Sequence, residues 1–201
     1  MFRVTLLFML SLVACANVSK EQPAEKPAKD YTAKHREALS FCKQQGFCTD
    51  YYCLVDLSVH SGRNRFFVYS FKQQKVVVQN VVTHGACEGF EPNDTRYEKA
   101  KFGNRVDSHC SELGKYKIGP RDYSSWGIHV KYWLEGLEES NANARERVIV
   151  LHSWDAVPDK EIYPDYTPLS WGCPAVSNAF MIALDERLQA TRKPVLLWIV
   201  N

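Results

Sequence analysis

From Ala33 onward the apolar positions change period several times along the chain. His35–Lys43 carries a short helical pattern, which Gln45-Gly46 closes. Three strand-like runs follow, Tyr51–Val59, Arg65–Ser70 and Lys75–Thr83. Ser61-Gly62-Arg63-Asn64 and Lys72-Gln73-Gln74 supply the turns, so an antiparallel meander ending at His84-Gly85 is expected. Ala86–His109 is polar and charged and reads as a surface insertion. Strands resume at Lys115–Ile118 and Trp126–Leu134, with a short polar helix or loop at Asn141–Arg147. Val148-Ile149-Val150-Leu151 is a wholly apolar strand that delivers His152 at its end. Ser177 and Asn178 are helix-capping residues ahead of Phe180, Met181, Leu184 and Leu188, which recur at helical spacing. Val195–Val200 is a last apolar strand. The expected fold is mostly β with a few helices.

The N-terminal residues do not share this plan. Met1 to Ala14 has one early cation, Arg3, and then a run of Val, Leu, Phe and Met. The run is shorter than the roughly 20 apolar residues a membrane span needs, so it reads as an export signal. It ends in Leu12-Val13-Ala14-Cys15, which resembles a bacterial lipobox with Cys15 as the lipidated residue; an ordinary cleaved signal is the competing reading. Residues 15–32, rich in Lys, Glu, Pro and Ala, have little to bury and read as a disordered tether. Ala16 stands where an aspartate would signal inner-membrane retention, which leans the anchor towards an outer membrane and the protein towards the periplasm.

Residues 33–201 suit one domain with a sizeable core. A formal net charge of +2 implies no nucleic-acid partner, and a monomer is expected. There is no P-loop or dinucleotide fingerprint, so no cofactor is expected.

Of the seven cysteines, Cys42 and Cys48 bracket a tight loop, and Cys87 and Cys110 bracket the insertion. In an oxidising compartment those pairs are the two expected disulfides. Cys53 lies mid-strand and reads as a buried apolar residue. A zinc site built from His84, Cys87, His109 and Cys110 is the competing arrangement.

The stretch with chemical promise is Ser170-Trp171-Gly172-Cys173-Pro174-Ala175-Val176. A glycine lets backbone N–H groups approach a reacting atom, and a cysteine directly after it is a candidate nucleophile beside its own oxyanion site. Pro174 stiffens the turn, and the helix that follows favours thiolate over thiol. A buried structural cysteine in a tight turn is the alternative. A nucleophile needs a base, and among the six histidines only His152 ends a buried-looking strand shortly upstream.

Together these residues resemble the L,D-transpeptidase catalytic domain, the YkuD-type fold, whose motif is a histidine followed later by Ser-x-Gly-Cys. The likeness is closest to the murein branch that carries Ser-Trp-Gly-Cys-Pro-Ala-Val. Asp56-Leu57-Ser58, His84-Gly85, Leu113-Gly114-Lys115-Tyr116, Tyr123, Gly127, Gly136-Leu137-Glu138 and Arg147–His152 look like that branch in the same order. The resemblance covers Ala33 to the C-terminus and implies a β-sandwich or barrel-like catalytic domain.

It further implies Cys173 as nucleophile, His152 as base, the N–H groups of Gly172 and Cys173 as oxyanion donors, and Ser170 as the serine that orders the site. His152 and the helix are then expected to lower the thiol pKa below about 8.5. His84 and Gly85 would line the cleft, and Trp154 and Trp171 flank the catalytic pair as possible platforms for sugar or stem peptide. Asp155 or a backbone carbonyl would orient His152. The implied substrate is a peptidoglycan stem tetrapeptide. A thioester at Cys173 would pass to an amine, or to water in a carboxypeptidase or amidase. Pro168-Leu169 replaces the branch's Gly-Arg, and Ala175 an arginine of the wider family, which bears on substrate contacts. A non-catalytic wall-binding lipoprotein is the alternative from another class; the presence of both Cys173 and His152 argues against it.

Overall fold

The computed structural model describes residues 29–87 and 95–201. The expectations for the signal, Cys15 and most of the tether lie outside the described residues. Tyr31–Asn201 forms one compact unit. Helix α1 (Thr32–Gln45) starts three residues earlier than its periodicity predicts and ends at Gly46, whose φ of +72° suits glycine. Phe47 N–H then returns to the Cys42 carbonyl at 2.9 Å.

Among the described residues eight strands make one sheet: β1 (Tyr51–Asp56), β2 (Phe66–Ser70), β3 (Lys75–Asn80), β4 (Gly114–Tyr123), β5 (Val130–Gly136), β6 (Val150–Ser153), β7 (Ala175–Val176) and β8 (Val195–Val200). Their spatial order is β3-β2-β1-β8-β4-β5-β6-β7, and only β1·β8 and β6·β7 are parallel. The meander β1-β2-β3 forms as expected.

The continuous apolar runs of β1 and β8 have a direct cause: both faces of these two strands are covered. On one face Tyr52, Leu54, Leu196 and Trp198 pack with Ala38 and Cys42 of α1. On the other, Cys53, Val55, Leu197 and Ile199 share a core with Phe180, Met181, Leu184 and Leu188 of helix α2 (Asn178–Gln189). β2 and the first half of β4 alternate buried and half-buried positions, as strands with one covered face do. Beyond β3 the chain runs along the other edge of the sheet. Thr83 N–H donates to Ala175 O at 3.0 Å, Ser170 N–H to His84 O at 2.9 Å, and Ala86 N–H to Ser170 O at 2.8 Å. These bonds join the two edge regions and bring the sheet to a nearly closed, barrel-like form.

Several expected boundaries move, for local reasons. β1 stops at Asp56 because its carboxylate accepts the Ser58 N–H at 2.9 Å and turns the chain. β5 starts at Val130 instead of Trp126, since residues 124–129 form a turn with Gly127 at φ +54° and His129 at φ +61°. β6 starts at Val150 instead of Val148, because Val148 itself is left-handed at φ +57°.

Cys87 and Cys110 form a disulfide as expected. That oxidation takes two of the four ligands of the alternative zinc site. The expected Cys42–Cys48 disulfide is absent, and both thiols are free and buried. Cys42 packs into the α1 face with Tyr52 and Trp198, and Cys48 joins the opposite core with Tyr51 and Cys53. Separate packing on the two sides keeps them unbridged. Cys53 is a fully buried apolar residue, as expected.

Candidate active site

The parallel pairing of β6 with β7 brings the two ends of the motif together. His152 lies opposite Ala175, so Cys173 sits two residues before its register partner. The ladder with β5 places Lys131 on the other side of His152. His152 is buried, and its Nδ1–H donates to the Ser153 carbonyl at 2.9 Å. That bond fixes the neutral tautomer with Nε2 as the open acceptor. Burial holds the imidazole pKa below its ordinary value, against the Ser153 carbonyl, which raises it, and with Lys131, which lowers it further. Asp155 does not orient the ring; it accepts from Asn178 Nδ2 at 2.7 Å. The orienting group is the backbone carbonyl.

Ser170 organises the turn. Its hydroxyl donates to the Cys173 carbonyl at 2.7 Å and accepts from the Gly172 N–H at 3.2 Å. The Gly172 N–H, expected as an oxyanion donor, is thus bonded inside the turn in the resting structure. Gly172 has φ +104°, and a Cβ there would stand 2.6 Å from the Cys110 carbonyl. Only glycine fits both the backbone angle and the contact.

Cys173 is half-buried. Its sulfur accepts from the Val150 N–H at 3.4 Å and points its S–H towards the Val148 carbonyl at 3.6 Å. Among the described residues no hydrogen bond joins it to His152. Burial pushes the thiol pKa up; the Val150 N–H, Arg147 and Lys131 oppose that rise and Glu112 adds to it. The expected depression is not found: burial holds the thiol above its ordinary value. The helix dipole does not reverse this, because α2 begins only at Asn178 with β7 intervening, and such effects fade within a turn. Ser177 does cap α2, its hydroxyl accepting from Phe180 N–H at 3.3 Å.

The substrate-lining expectations divide. His84 is 1 % exposed and Gly85 is buried, so neither lines a cleft. His84 Nδ1 accepts from Arg65 Nη2 at 2.9 Å, and its Nε2–H donates to the Arg96 carbonyl. A Cβ on Gly85 would lie 2.3 Å from His109 O, so this glycine admits the returning insertion. Trp171, by contrast, is 74 % exposed and stacks on His109 with ring centroids 4.8 Å apart. Trp154 is half-buried against Val81, Val157 and Ala175 and meets Trp126 edge-on at 5.6 Å.

Sequence reasoning gave no individual role to four charged side chains. Arg65 is buried behind the turn, donating to Val82 O through both Nε and Nη2. Arg147 and Glu112 form a buried ion pair, and Lys131 neighbours His152. The available signal was the position of Arg147, directly before the four apolar residues Val148–Leu151.

With this geometry in place, comparison with known proteins is decisive at the level of family. The family model for the L,D-transpeptidase catalytic domain matches residues 24–196. The chain belongs to the L,D-transpeptidase catalytic-domain family. That family acts on peptidoglycan. No curated protein sequence matches the chain. Among solved structures, the helical cell shape determining protein Pgp2 of Campylobacter jejuni is 13% identical with a TM-score of 0.44, covering 74% of this chain and 46% of that one. An Enterococcus faecium L,D-transpeptidase mutant is 12% identical with a TM-score of 0.44, covering 75% and 49%. An L,D-transpeptidase fragment from Xylanimonas cellulosilytica is 15% identical with a TM-score of 0.41, covering 80% and 68%. The stretch matched is about half the length of the Campylobacter and Enterococcus structures.

Proposed function

We propose that the chain is a cysteine acyltransferase acting on peptidoglycan stem tetrapeptides. The observation that carries this reading is the β6·β7 pairing, which sets His152 beside the Ser170–Cys173 turn with Nε2 open. Substrate binding would draw the sulfur from the Val148 carbonyl towards Nε2; catalytic hydrogen bonds are often long before substrate arrives. Nε2 takes the thiol proton as the sulfur attacks the carbonyl of the diamino acid at stem position three. The oxyanion falls to the Cys173 N–H, since the Gly172 N–H is held by Ser170. The imidazolium returns its proton to the leaving amine, D-alanine departs, and a thioester remains. An acceptor amine then attacks the thioester, gives up a proton through His152, and restores the thiol. Trp171, exposed beside the nucleophile, is available to contact substrate.

The test is mass spectrometry of tetrapeptide muropeptides incubated with the full chain. Release of D-alanine with cross-linked products supports the reading, and Cys173→Ala abolishes it while leaving the fold intact. Unchanged products from Cys173→Ala would remove the nucleophile assignment.

We also propose export and anchoring through Cys15, supported by the lipobox-like Leu12–Cys15 sequence. Replacing Cys15 with serine should shift the protein out of the membrane fraction; a wild-type protein that fractionates as soluble would sink the proposal.

A further inference from the structure

Beneath the nucleophile turn lies a buried ion pair. The side chains of Arg147 and Glu112 are 2% and 0% exposed, with Nη1 against Oε1. The contact is a charge pairing more than an aligned hydrogen bond, for Oε1 and Arg147 Nε have no hydrogen-bond partner. The guanidinium directs its aligned N–H groups at backbone instead. Nη1 donates to Gly103 O at 2.9 Å and Nη2 to Cys110 O at 2.7 Å. Those carbonyls lie on the two sides of the insertion's stem, where Phe102 bridges Ser111. Nη2 also stands 3.2 Å from the point a Gly172 Cβ would occupy. One buried cation therefore touches the stem of the disulfide-closed insertion and the residue preceding Cys173. Glu112 is held in turn by the Tyr116 hydroxyl, at 3.2 Å from Oε2.

Resting on the reading of Cys173 as nucleophile, we propose that Arg147 and Glu112 are positioning residues of that turn. The guanidinium keeps the Cys110 carbonyl packed under Gly172, which fixes the entry to Cys173. A lone buried cation would be costly, and Glu112 neutralises it. The charged and titratable groups facing the sulfur are Arg147 ahead of β6, Glu112 ahead of β4, Lys131 on β5 and the neutral His152 on β6. Arg147 and Lys131 favour thiolate; Glu112 disfavours it. The pair thus holds the thiol in check while keeping it in place.

The experiment is iodoacetamide alkylation of the full chain against pH, read by mass spectrometry on the Cys173 peptide, for wild type, E112Q, R147K and R147M. E112Q leaves Arg147 unopposed and should move the profile to lower pH, with alkylation at pH 7 faster by about threefold. R147M should move it to higher pH by a similar factor. R147K keeps the charge, so its profile should keep the wild-type midpoint even where loss of the forked contacts to Gly103 and Cys110 changes the rate. A role in packing alone would shift E112Q and R147M together, or neither, or would make R147K behave as R147M; any of these overturns the proposal. If R147M loses its near-UV circular dichroism, E112Q and R147K decide the matter. Alkylation needs no peptidoglycan, so this idea and the acyl-transfer reading can fail separately.

Discussion

Two buried histidines flank the nucleophile turn, and the use of their ring nitrogens separates a brace from a working group. His84 spends both: Nδ1 accepts from Arg65, and Nε2–H donates to the Arg96 carbonyl. His152 spends only Nδ1, on the Ser153 carbonyl. Burial lowers the pKa of each; for His84, with the Arg65 cation adding to it, the value falls to about 4. Low pKa and burial therefore mark both residues and distinguish neither. What distinguishes them is Nε2: on His84 it is bonded to the Arg96 carbonyl, and on His152 it has no hydrogen-bond partner among the described residues.

The largest effect should break that comparison cleanly. His152→Gln should lower muropeptide turnover by about 10²–10⁴-fold with the fold retained, the usual scale for losing a general base. His84→Gln should cost stability instead, roughly 1–3 kcal/mol for leaving buried partners of Arg65 and Arg96 unsatisfied. Its turnover should survive at temperatures where the protein is folded. Urea midpoints and product analysis on both variants decide it, and an exchange of the two phenotypes would reverse the assignment.

A smaller effect concerns acid. In the folded protein His84 binds its proton only near pH 4, against an ordinary value of 6.5. Between those values the unfolded chain binds the proton and the folded chain does not, so stability rises with pH there. It is present in full above 6.5 and is lost progressively as pH falls towards 4. His152, also lowered, acts in the same sense. The slope is at most about 1.4 kcal/mol per pH unit for each histidine. Urea unfolding at pH 7.5 and 5.5 should show a wild-type loss that shrinks in His84→Gln; an equal loss in both would place the titrating group elsewhere.

The distinction between the two histidines was only partly legible in the sequence. Tyr51–Val55 and Val195–Val200 announce strands buried on both faces, and the Ser-x-Gly-Cys stretch with His152 upstream announces its own chemistry. Periodicity carries no information on which ring nitrogen is occupied, because Arg65 and Arg96 reach His84 across the fold. For the same reason the Arg147–Glu112 pair, 35 residues apart in the chain, has no local signature. Cys42 and Cys48 mislead for a related cause: six residues of separation suggest a bridge, while the core assigns the two thiols to opposite sides of a sheet. The thiol pKa expectation failed because the sequence shows the neighbouring helix but not the depth of the sulfur.

The smallest effect sharpens the contrast from the backbone side. The turn before β6 closes like a helix end, with Val148 N–H donating to Arg145 O at 3.2 Å and Ile149 N–H to Ala144 O at 2.9 Å. That is the bonding of a Schellman motif, in which the left-handed position is ordinarily glycine. Here it is Val148, a β-branched residue at φ +57°, and its carbonyl is the one that meets the Cys173 thiol. Left-handed backbone costs an L-residue about 1–2 kcal/mol. Val148→Gly should remove that strain and lose little burial, since Val148 is 53% exposed. The extra freedom of glycine in the unfolded chain offsets about 0.5–1 kcal/mol, leaving a net gain of roughly 0.5 kcal/mol, measurable as a higher urea midpoint. A lower midpoint would mean that Val148 is not strained, and that the working side of the turn is as relaxed as the braced side around His84.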